Sequence, residues 1–265
     1  MRVISWNMGC AYGSLYKRAQ ARTWQQLLAW GPDIALVQET TDPSAWLPLG
    51  SYVFTPYGWS AGKTVEIGTL VYARSGEITT PQMPERLEEL IPGQVTLASV
   101  ATDSTNLLVA SIHAATTAVD PTRLVDLADA GVGGSHTGDI SPLDLILHEL
   151  KALTPGRRFI IGGDLNASVR FDDLYTKGSA LYGNVEWFTK AREAGWWNAH
   201  RKFHTGDQRT LFRPGKDEPF QIDHLFTDRA TWASLTACDV LTVPYLGEFT
   251  DHAPMVLETA GLDAG

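Results

Sequence analysis

"RRFIIGGDLNAS" occupies residues 157–168 and joins an apolar run to a polar turn through two glycines. The β-branched and aromatic residues of the run predict a buried strand. Asp164 and Asn166 follow with Leu165 between them. Because alternate residues of an extended chain point to the same face, we predict that Asp164 and Asn166 face one site while Leu165 turns to the core. The two glycines would let backbone and substrate approach closely there.

The chain around this stretch has 265 residues, 44% of them hydrophobic, and a net charge of −9. This length suits a single domain, which we place at 1–258 with a short tail at 259–265. The acidic balance argues against a passive nucleic-acid coat, but it permits an enzyme acting on phosphate esters, since a bound cation reverses the local field. No apolar run is long enough for a membrane span and no secretory signal is seen, so we expect a cytoplasmic protein.

Cysteine usage argues against two classes of protein. Cys10 and Cys238 are far apart in the sequence, and two cysteines in a chain of this size do not form a disulfide framework. Neither belongs to a metal-type cluster, which argues against zinc held by cysteine. We therefore expect two reduced thiols.

The hydrophobic pattern predicts a mixture of strands and helices. Strands are expected at 2–7, 33–38, 51–55, 67–73, 95–101, 106–112, 158–163, 222–227, 237–243 and 254–258. Helices are expected at 16–30, 143–153 and 185–194, and a Gly-rich loop at 129–142. Some strands follow one another directly and others are separated by helices, which indicates mixed sheets covered by helices.

Polar, chemically capable side chains recur at the ends of the apolar runs. They are Asn7, Glu39, His113, Asp164, Asn166, Asp223, His224, Asp251 and His252. Singly, each is also consistent with a turn residue, a cap or a satisfied histidine. Gathered at one edge, however, so many carboxylates would be costly without a cation. Oxygen ligands from Asp, Glu and Asn suit a hard ion such as Mg²⁺, with Mn²⁺ as a possible substitute.

Six short motifs carry a family resemblance. In chain order they are "SWN", "VQET", "SIHA", "GGDLNAS", "QIDHLF" and "TDHAP". Together they resemble the endonuclease/exonuclease/phosphatase superfamily, which includes pancreatic-type deoxyribonucleases, abasic-site endonucleases, neutral sphingomyelinases and inositol polyphosphate 5-phosphatases. The resemblance covers residues 1–258. It implies a four-layer α/β sandwich in which two mixed β-sheets pack face to face with helices outside.

The resemblance also implies roles for particular residues. Metal binding falls to Glu39, Asn7 and Asp251. Catalytic roles fall to His252, Asp223, Asp164, Asn166 and His113. In these roles Asp164 and Asn166 position the attacking water and the phosphate, Asp223 orients His252, and His113 matches an extra histidine of the deoxyribonuclease and sphingomyelinase branches.

Further residues are less specific candidates. Glu66 lies near the place where the deoxyribonuclease branch has a glutamate that pairs with the extra histidine. Five basic residues are candidates for phosphate contacts or equally for solvated surface charge: Arg170, Arg201, Lys202, Arg209 and Arg213. Asn198 and Gln221 depart from the family pattern, which often has aspartate at the first position and arginine or lysine at the second.

Three functions follow as expectations. The first is a divalent-metal-dependent nuclease or phosphodiesterase that hydrolyses phosphodiester bonds by in-line water attack. The second is a phosphomonoesterase or lipid phosphodiesterase that uses the same site. The third is a binding protein that has the fold without catalysis. We expect a phosphate-ester partner, with nucleic acid as the favoured class, no membrane span and no obligate protein partner.

Overall fold

The computed structural model describes most of the chain. The described residues are 1–9, 16–44, 47, 50–56, 66–102, 105–117, 119, 122, 124, 126–127, 140–176, 179, 182–212, 220–242 and 250–260. Cys10, Arg213, most of the predicted loop at 129–142 and the tail from 261 onward lie outside these residues.

Within the described residues the chain forms twelve strands. They are β1 (Arg2–Asn7), β2 (Ile34–Thr40), β3 (Ser51–Pro56), β4 (Gly68–Ala73), β5 (Ile78–Thr79), β6 (Val95–Ala101), β7 (Asn106–His113), β8 (Phe159–Asp164), β9 (Trp197–Asn198), β10 (Asp223–Thr227), β11 (Leu235–Val240) and β12 (Met255–Thr259). The predicted strands are all present with small shifts of boundary. The two-residue strands β5 and β9 were not predicted, because two residues carry no periodic pattern.

Helices connect and cover the strands. They are α1 (Tyr16–Ala29), α2 (Glu85–Leu90), α3 (Pro142–Lys151), α4 (Phe171–Leu174), α5 (Asn184–Glu193) and α6 (Arg229–Ser234), with a 3₁₀ helix at His200–Lys202. The three predicted helices correspond to α1, α3 and α5. Ser141 begins α3 with a capping box, in which its hydroxyl accepts the Asp144 N–H and Pro142 takes the first position. No helix within the described ranges is both long and apolar enough to cross a membrane.

The strands form two six-stranded mixed sheets. Sheet A has the order β11-β12-β1-β2-β4-β3, and sheet B has the order β5-β6-β7-β8-β10-β9. Each sheet contains one parallel pair at its centre, β1 with β2 and β7 with β8, and its remaining pairs are antiparallel. The last strand reaches Thr259, one residue beyond the predicted end, because its backbone exchanges hydrogen bonds with Met1.

Three hydrophobic clusters hold the layers together. Between the sheets, side chains such as Leu36 and Val71 of sheet A meet Val109 and Ile160 of sheet B. On the outer face of sheet A, Trp24 and Leu27 of α1 are fully buried. On the outer face of sheet B, the helices α3 and α5 pack their apolar residues against β8 and β10. The predicted four-layer α/β sandwich is therefore confirmed.

The described cysteine belongs to this core. Cys238 is a free thiol, fully buried in the cluster between the sheets. Burial raises the pKa of this thiol far above its usual range, which keeps it protonated and unreactive. The predicted reduced state is confirmed for Cys238.

Candidate active site

The strand register brings the predicted residues of sheet B to one edge. Asp164 ends β8 and lies opposite His113 of β7 on one side and Asp223 of β10 on the other. Because β8 is parallel to β7 and antiparallel to β10, the end of β7 and the start of β10 lie at this edge beside the end of β8. Asp164 is 2% exposed, so its carboxylate lies within the protein and not on an open surface.

Sheet A contributes its own strand ends to the same place. Asn7 at the end of β1 donates its Nδ2–H groups to Asp164 Oδ2 at 2.9 Å and to Glu39 Oε1 at 3.2 Å. Its Oδ1 accepts the Gly9 N–H at 2.8 Å, which fixes the orientation of the amide. Asn7 therefore ties the acid of one sheet to the acid of the other.

Glu39 reaches the site through an irregularity in β2. Leu36 belongs to the cluster between the sheets and Val37 to the outer cluster, so strict alternation would turn Glu39 outward. The pairing of β2 with β4 shifts register between Val37 and Thr40, and Glu39 has a φ of +49°. A bulge of this kind re-aims a side chain, and here it turns Glu39 towards Asn7.

His113 lies between the two acids. Its Nε2 is 3.4 Å from Glu39 Oε1 and 3.7 Å from Asp164 Oδ2. Glu66, the other candidate partner, is exposed just before β4 and has no ion pair with His113 in the described structure. In this structure Glu39 is thus the glutamate that contacts the histidine.

His252 is held on the opposite side of Asp164. Its Nδ1 is 3.0 Å from Asp223 Oδ2, and its backbone N–H donates to Thr250 Oγ1. The other ring nitrogen, Nε2, is 3.7 Å from Asp164 Oδ2 and 3.8 Å from Asp251 Oδ1. The Asp223 contact therefore orients the ring so that Nε2 faces the other acids.

Electrostatics favour the charged form of His252. Burial disfavours the imidazolium, but the carboxylates of Asp223, Asp164 and Asp251 outweigh this effect and raise the pKa of His252 to about 10. The Asp223 carboxylate also accepts the ring hydrogen bond, which stabilises the same form. Near neutral pH, Nε2 consequently carries a proton that it can donate.

Asn166 reaches its position by a route that the extended pattern does not describe. Its φ is +49°, so the chain leaves the strand conformation there. Its backbone N–H donates to Asp164 Oδ1 at 2.9 Å, and its Nδ2 donates to the Ala114 carbonyl at 3.0 Å. The expected extended alternation over Asp164 and Asn166 is wrong, because this turn ends it. The predicted burial of Leu165 is confirmed at 2% exposure.

The basic candidates divide by their contacts. Lys202 donates to three backbone carbonyls near α6, and Arg209 donates to the Leu211 carbonyl, so both stabilise local structure. Arg201 forms an ion pair with Asp207 and remains exposed. Arg170 is exposed at the start of α4, directly after the turn that follows Asp164. Arg213 lies outside the described residues.

The donor set suits a hard divalent cation. One group of possible ligands, Glu39, His113 and Asp164, has its ligand atoms within 4.8 Å of one another, and a second contains Asp164, Asp223 and His252. Asp251 is adjacent, with its side chain 34% exposed. The Asn7 amide holds the carboxylates of Glu39 and Asp164 close together. Their oxygens are the kind of ligand that Mg²⁺ or Mn²⁺ prefers.

The sequence matches a known family over almost its whole length. The model of the Endonuclease/Exonuclease/phosphatase family matches residues 4–252, a span that includes every strand-end residue of the site. The chain belongs to this family. No functionally curated protein matches the sequence significantly.

Several solved structures share the fold of this family member. A 3′ phosphatase from Neisseria bound to product DNA hairpin has a TM-score of 0.68 and 18% identity, over 98% of this chain and 100% of that chain. An AP endonuclease from Archaeoglobus fulgidus has a TM-score of 0.68 and 16% identity, over 98% and 100%. The endonuclease domain of TRAS1, a telomere-specific non-LTR retrotransposon, has a TM-score of 0.61 and 15% identity, over 97% of each chain. At these identities the likeness supports the fold alone.

Several residues of this family member support the site although the sequence did not single them out. Thr250 donates its hydroxyl to the Asn7 carbonyl and accepts the His252 N–H, which links the end of β1 to the loop that carries His252. Thr210 accepts the N–H of Asp223. Trp6 donates its indole N–H to the His252 carbonyl. The positions of Thr250 within "TDHAP" and of Trp6 within "SWN" were usable signals, whereas Thr210 acts only through tertiary contacts.

Proposed function

We propose that this family member is a divalent-metal-dependent phosphodiesterase that cleaves nucleic acid by in-line attack of water. The observation that carries the proposal is the convergence on Asp164 of Asn7, His113 and His252 from separate strands and loops. Asp164 would accept a hydrogen bond from the attacking water and hold it near phosphorus. Its own position is fixed by the Asn7 amide and the Asn166 backbone N–H.

His252 is the proposed donor to the phosphate. Its Nδ1–H donates a hydrogen bond to Asp223, which orients the ring and leaves Nε2 pointing into the site. Since the pKa of His252 is raised to about 10, Nε2–H is available to donate to a phosphoryl oxygen as negative charge develops there. His113 supplies a second proton donor on the other side of Asp164.

Glu39, Asp164 and Asp251 are the proposed metal ligands. Asn7 would keep the first two acids at a separation that one cation can span. When bound, Mg²⁺ supplies stabilisation of the charge that develops on the phosphoryl and leaving oxygens. In the free protein, the charge of His252 partly offsets the repulsion among the acids.

Nucleic acid is the proposed substrate class for two reasons. The structures that share this fold include an AP endonuclease and a 3′ phosphatase bound to a DNA hairpin. The exposed guanidinium group of Arg170 is available for a phosphate contact, since it lies directly after the turn that follows Asp164. The 3′ phosphatase also makes a terminal phosphomonoester on DNA the second candidate for hydrolysis.

Nicking of supercoiled plasmid tests the proposal. Wild-type protein should nick in Mg²⁺ or Mn²⁺ and stop when a chelator is added. Asp164→Asn should abolish nicking, whereas the matched control Asp239→Asn should not, because Asp239 pairs with His204 away from the site. A parallel panel of 3′-phosphorylated DNA, RNA, inositol phosphates and sphingomyelin vesicles identifies the ester. Metal binding without turnover on any member of the panel would instead indicate a binding protein.

A further inference from the structure

A groove lined by four arginines lies at the end of sheet B opposite the candidate active site. It has a volume of about 1000 Å³ and is formed by the start of β8, the end of β10 and the end of α5. Its arginines are Arg157, Arg158, Arg192 and Arg229. Four cations in one groove contrast with the net charge of −9 for the whole chain.

Three of these arginines keep their charge uncompensated within the part of the chain that the structure describes. Arg158 has an ion pair with Asp228 at 3.6 Å. Among the described residues, Arg157, Arg192 and Arg229 have no ion-pair partner, and all three are exposed. The Asp228 carboxylate already accepts hydrogen bonds from the first turn of α6, which it caps, and from the Phe159 N–H. The groove is therefore a local excess of positive charge.

Two of the cations share one aromatic ring. The Arg192 guanidinium carbon lies 2.8 Å from the centroid of the Trp197 ring, and that of Arg229 lies 5.5 Å from it. Burial, and then the charge of Arg229, lowers the pKa of Arg192. The indole holds both guanidinium groups in place although they repel each other. An anion between them would relieve this repulsion, and guanidinium groups match the oxygens of phosphate in geometry and charge.

We infer that this groove binds the phosphate backbone of a nucleic-acid strand as a second contact region, distant from the hydrolytic site. The inference rests on the proposed function for the identity of the strand. Thr105, Asn106 and Thr154 add polar residues to the lining of the groove. The occupant is a phosphate chain because the uncompensated cations come from separate elements and line one open groove.

The distance between the two regions sets a minimum length for the strand. β8 runs from Phe159 at the groove to Asp164 at the site, and five steps of about 3.3 Å give about 17 Å. At about 3.4 Å of rise per nucleotide in a stacked strand, this corresponds to about five nucleotides. A stacked tetranucleotide is therefore too short to contact both regions at once, whereas a 20-nucleotide strand reaches both.

The experiment compares two strand lengths in two matched double variants. The groove variant is Arg192→Gln/Arg229→Glu. The acid in the first turn of α6 is favourable to the helix, so this variant is expected to fold. The control variant, Arg22→Gln/Arg74→Glu, makes the same charge change at exposed positions associated with sheet A. Binding is measured by anisotropy in Mg²⁺ in an Asp164→Asn background, so that the strand stays intact.

We expect the groove variant to bind the 20-mer about tenfold more weakly than the control variant and to bind the tetramer equally well. The slope of log affinity against log salt for the 20-mer should fall by about 1.4, since each lost contact to single-stranded phosphate is worth about 0.7. The inference would be overturned if both variants lost the same affinity for the 20-mer, or if the salt slope of the groove variant were unchanged. It would also be overturned if pyrophosphate bound the groove but the 20-mer did not.

The outcome is separable from that of the proposed function. Hydrolysis of a dinucleotide by otherwise wild-type protein reports on the catalytic site, which contains no groove residue. If no phosphate ester is hydrolysed while the 20-mer still binds through the groove, the proposed function fails alone. If hydrolysis is observed and the groove variant binds the 20-mer like the control, the groove inference fails alone.

Discussion

Asp164 is the residue through which both sheets act on the candidate site. Its Oδ2 accepts the Asn7 amide from sheet A and lies 3.7 Å from both His113 and His252. Its Oδ1 accepts the Asn166 N–H, so neither oxygen can rotate freely. A carboxylate held in this way costs little reorganisation when charge develops nearby, which is a requirement for electrostatic catalysis.

The first prediction concerns the histidine that Asp223 orients. His252→Ala should lower kcat for the true substrate by about 10³-fold or more, because it removes the proposed proton donor. Asp223→Asn should also lower kcat, by a smaller factor, because the ring loses the carboxylate that stabilises its charged form. Steady-state kinetics on plasmid or a dinucleotide measures both. His204→Ala, which removes a histidine that pairs with Asp239, is the control and should keep near-wild-type kcat.

A second prediction separates the two glutamate candidates. Glu39→Gln should raise the Mg²⁺ concentration at half-maximal activity by about tenfold or more, because it removes a charged ligand beside Asp164. Glu66→Gln should leave that concentration unchanged, since Glu66 is exposed and Glu39 contacts His113. Activity titrated against metal distinguishes them. A shift of similar size in Glu66→Gln would show that the assignment of Glu39 alone is wrong.

Among the strands, β2 and β8 depend on local departures from regular geometry. The bulge in β2 turns Glu39 inward, and the turn after β8 brings Asn166 back against Ala114. Glu39 and Asn166 both have a φ of +49°, which costs free energy for a residue other than glycine. The pairing of the surrounding strands must stabilise these two strained backbone conformations.

A third prediction tests how closely β8 packs against β10. A Cβ at Gly162 would overlap the His224 carbonyl oxygen and meet Leu225 Cα at 3.0 Å. Gly162→Ala should therefore destabilise the protein by roughly 2 kcal/mol, the usual cost of overpacking. Urea unfolding measures the change. Gly206→Ala is the control, because no atom lies within 4 Å of the position that a Cβ would take there, and the cost should stay below about 0.5 kcal/mol.

Over the whole molecule, buried neutral histidines make the fold sensitive to acid. His224 faces the helical side of sheet B, where its Nε2 donates to the Ala167 carbonyl. Burial lowers the pKa of His224 to about 4 and also lowers the pKa of His200 and His148. The unfolded chain binds protons on these groups near pH 6.5, whereas the folded chain binds them only at lower pH.

The fourth prediction follows from this difference. Between pH 6.5 and about pH 4 the unfolded state holds the additional proton, so the free energy of unfolding should fall as the pH falls. His224 alone should contribute a slope of up to about 1.4 kcal/mol per pH unit in that window. Denaturant unfolding of wild type and His224→Phe at pH 7, 6 and 5 measures it. Equal slopes in the two proteins would contradict the prediction.

Short-range features of the chain were predictable from its residues. The longer strands and the helices α1, α3 and α5 follow from apolar periodicity and from caps such as Ser141. The burial of Leu165 also follows from its immediate neighbours. The six motifs predicted the sandwich and the set of residues at the end where the candidate site lies. These features depend on residues near one another in the sequence or on the order of motifs, so they can be predicted from a single sequence.

Contacts across long distances in the chain were decided by the tertiary structure. Asn7 and Asp164 are 157 residues apart, and their bond depends on how the two sheets pack. The pairing of His113 with Glu39 depends on a register shift that no local pattern shows. The arginine groove joins three elements whose charges are scattered along the sequence. Sequence pattern records which face a residue prefers, but only the packed sheets decide which residues meet, because pairing register and sheet packing are long-range properties.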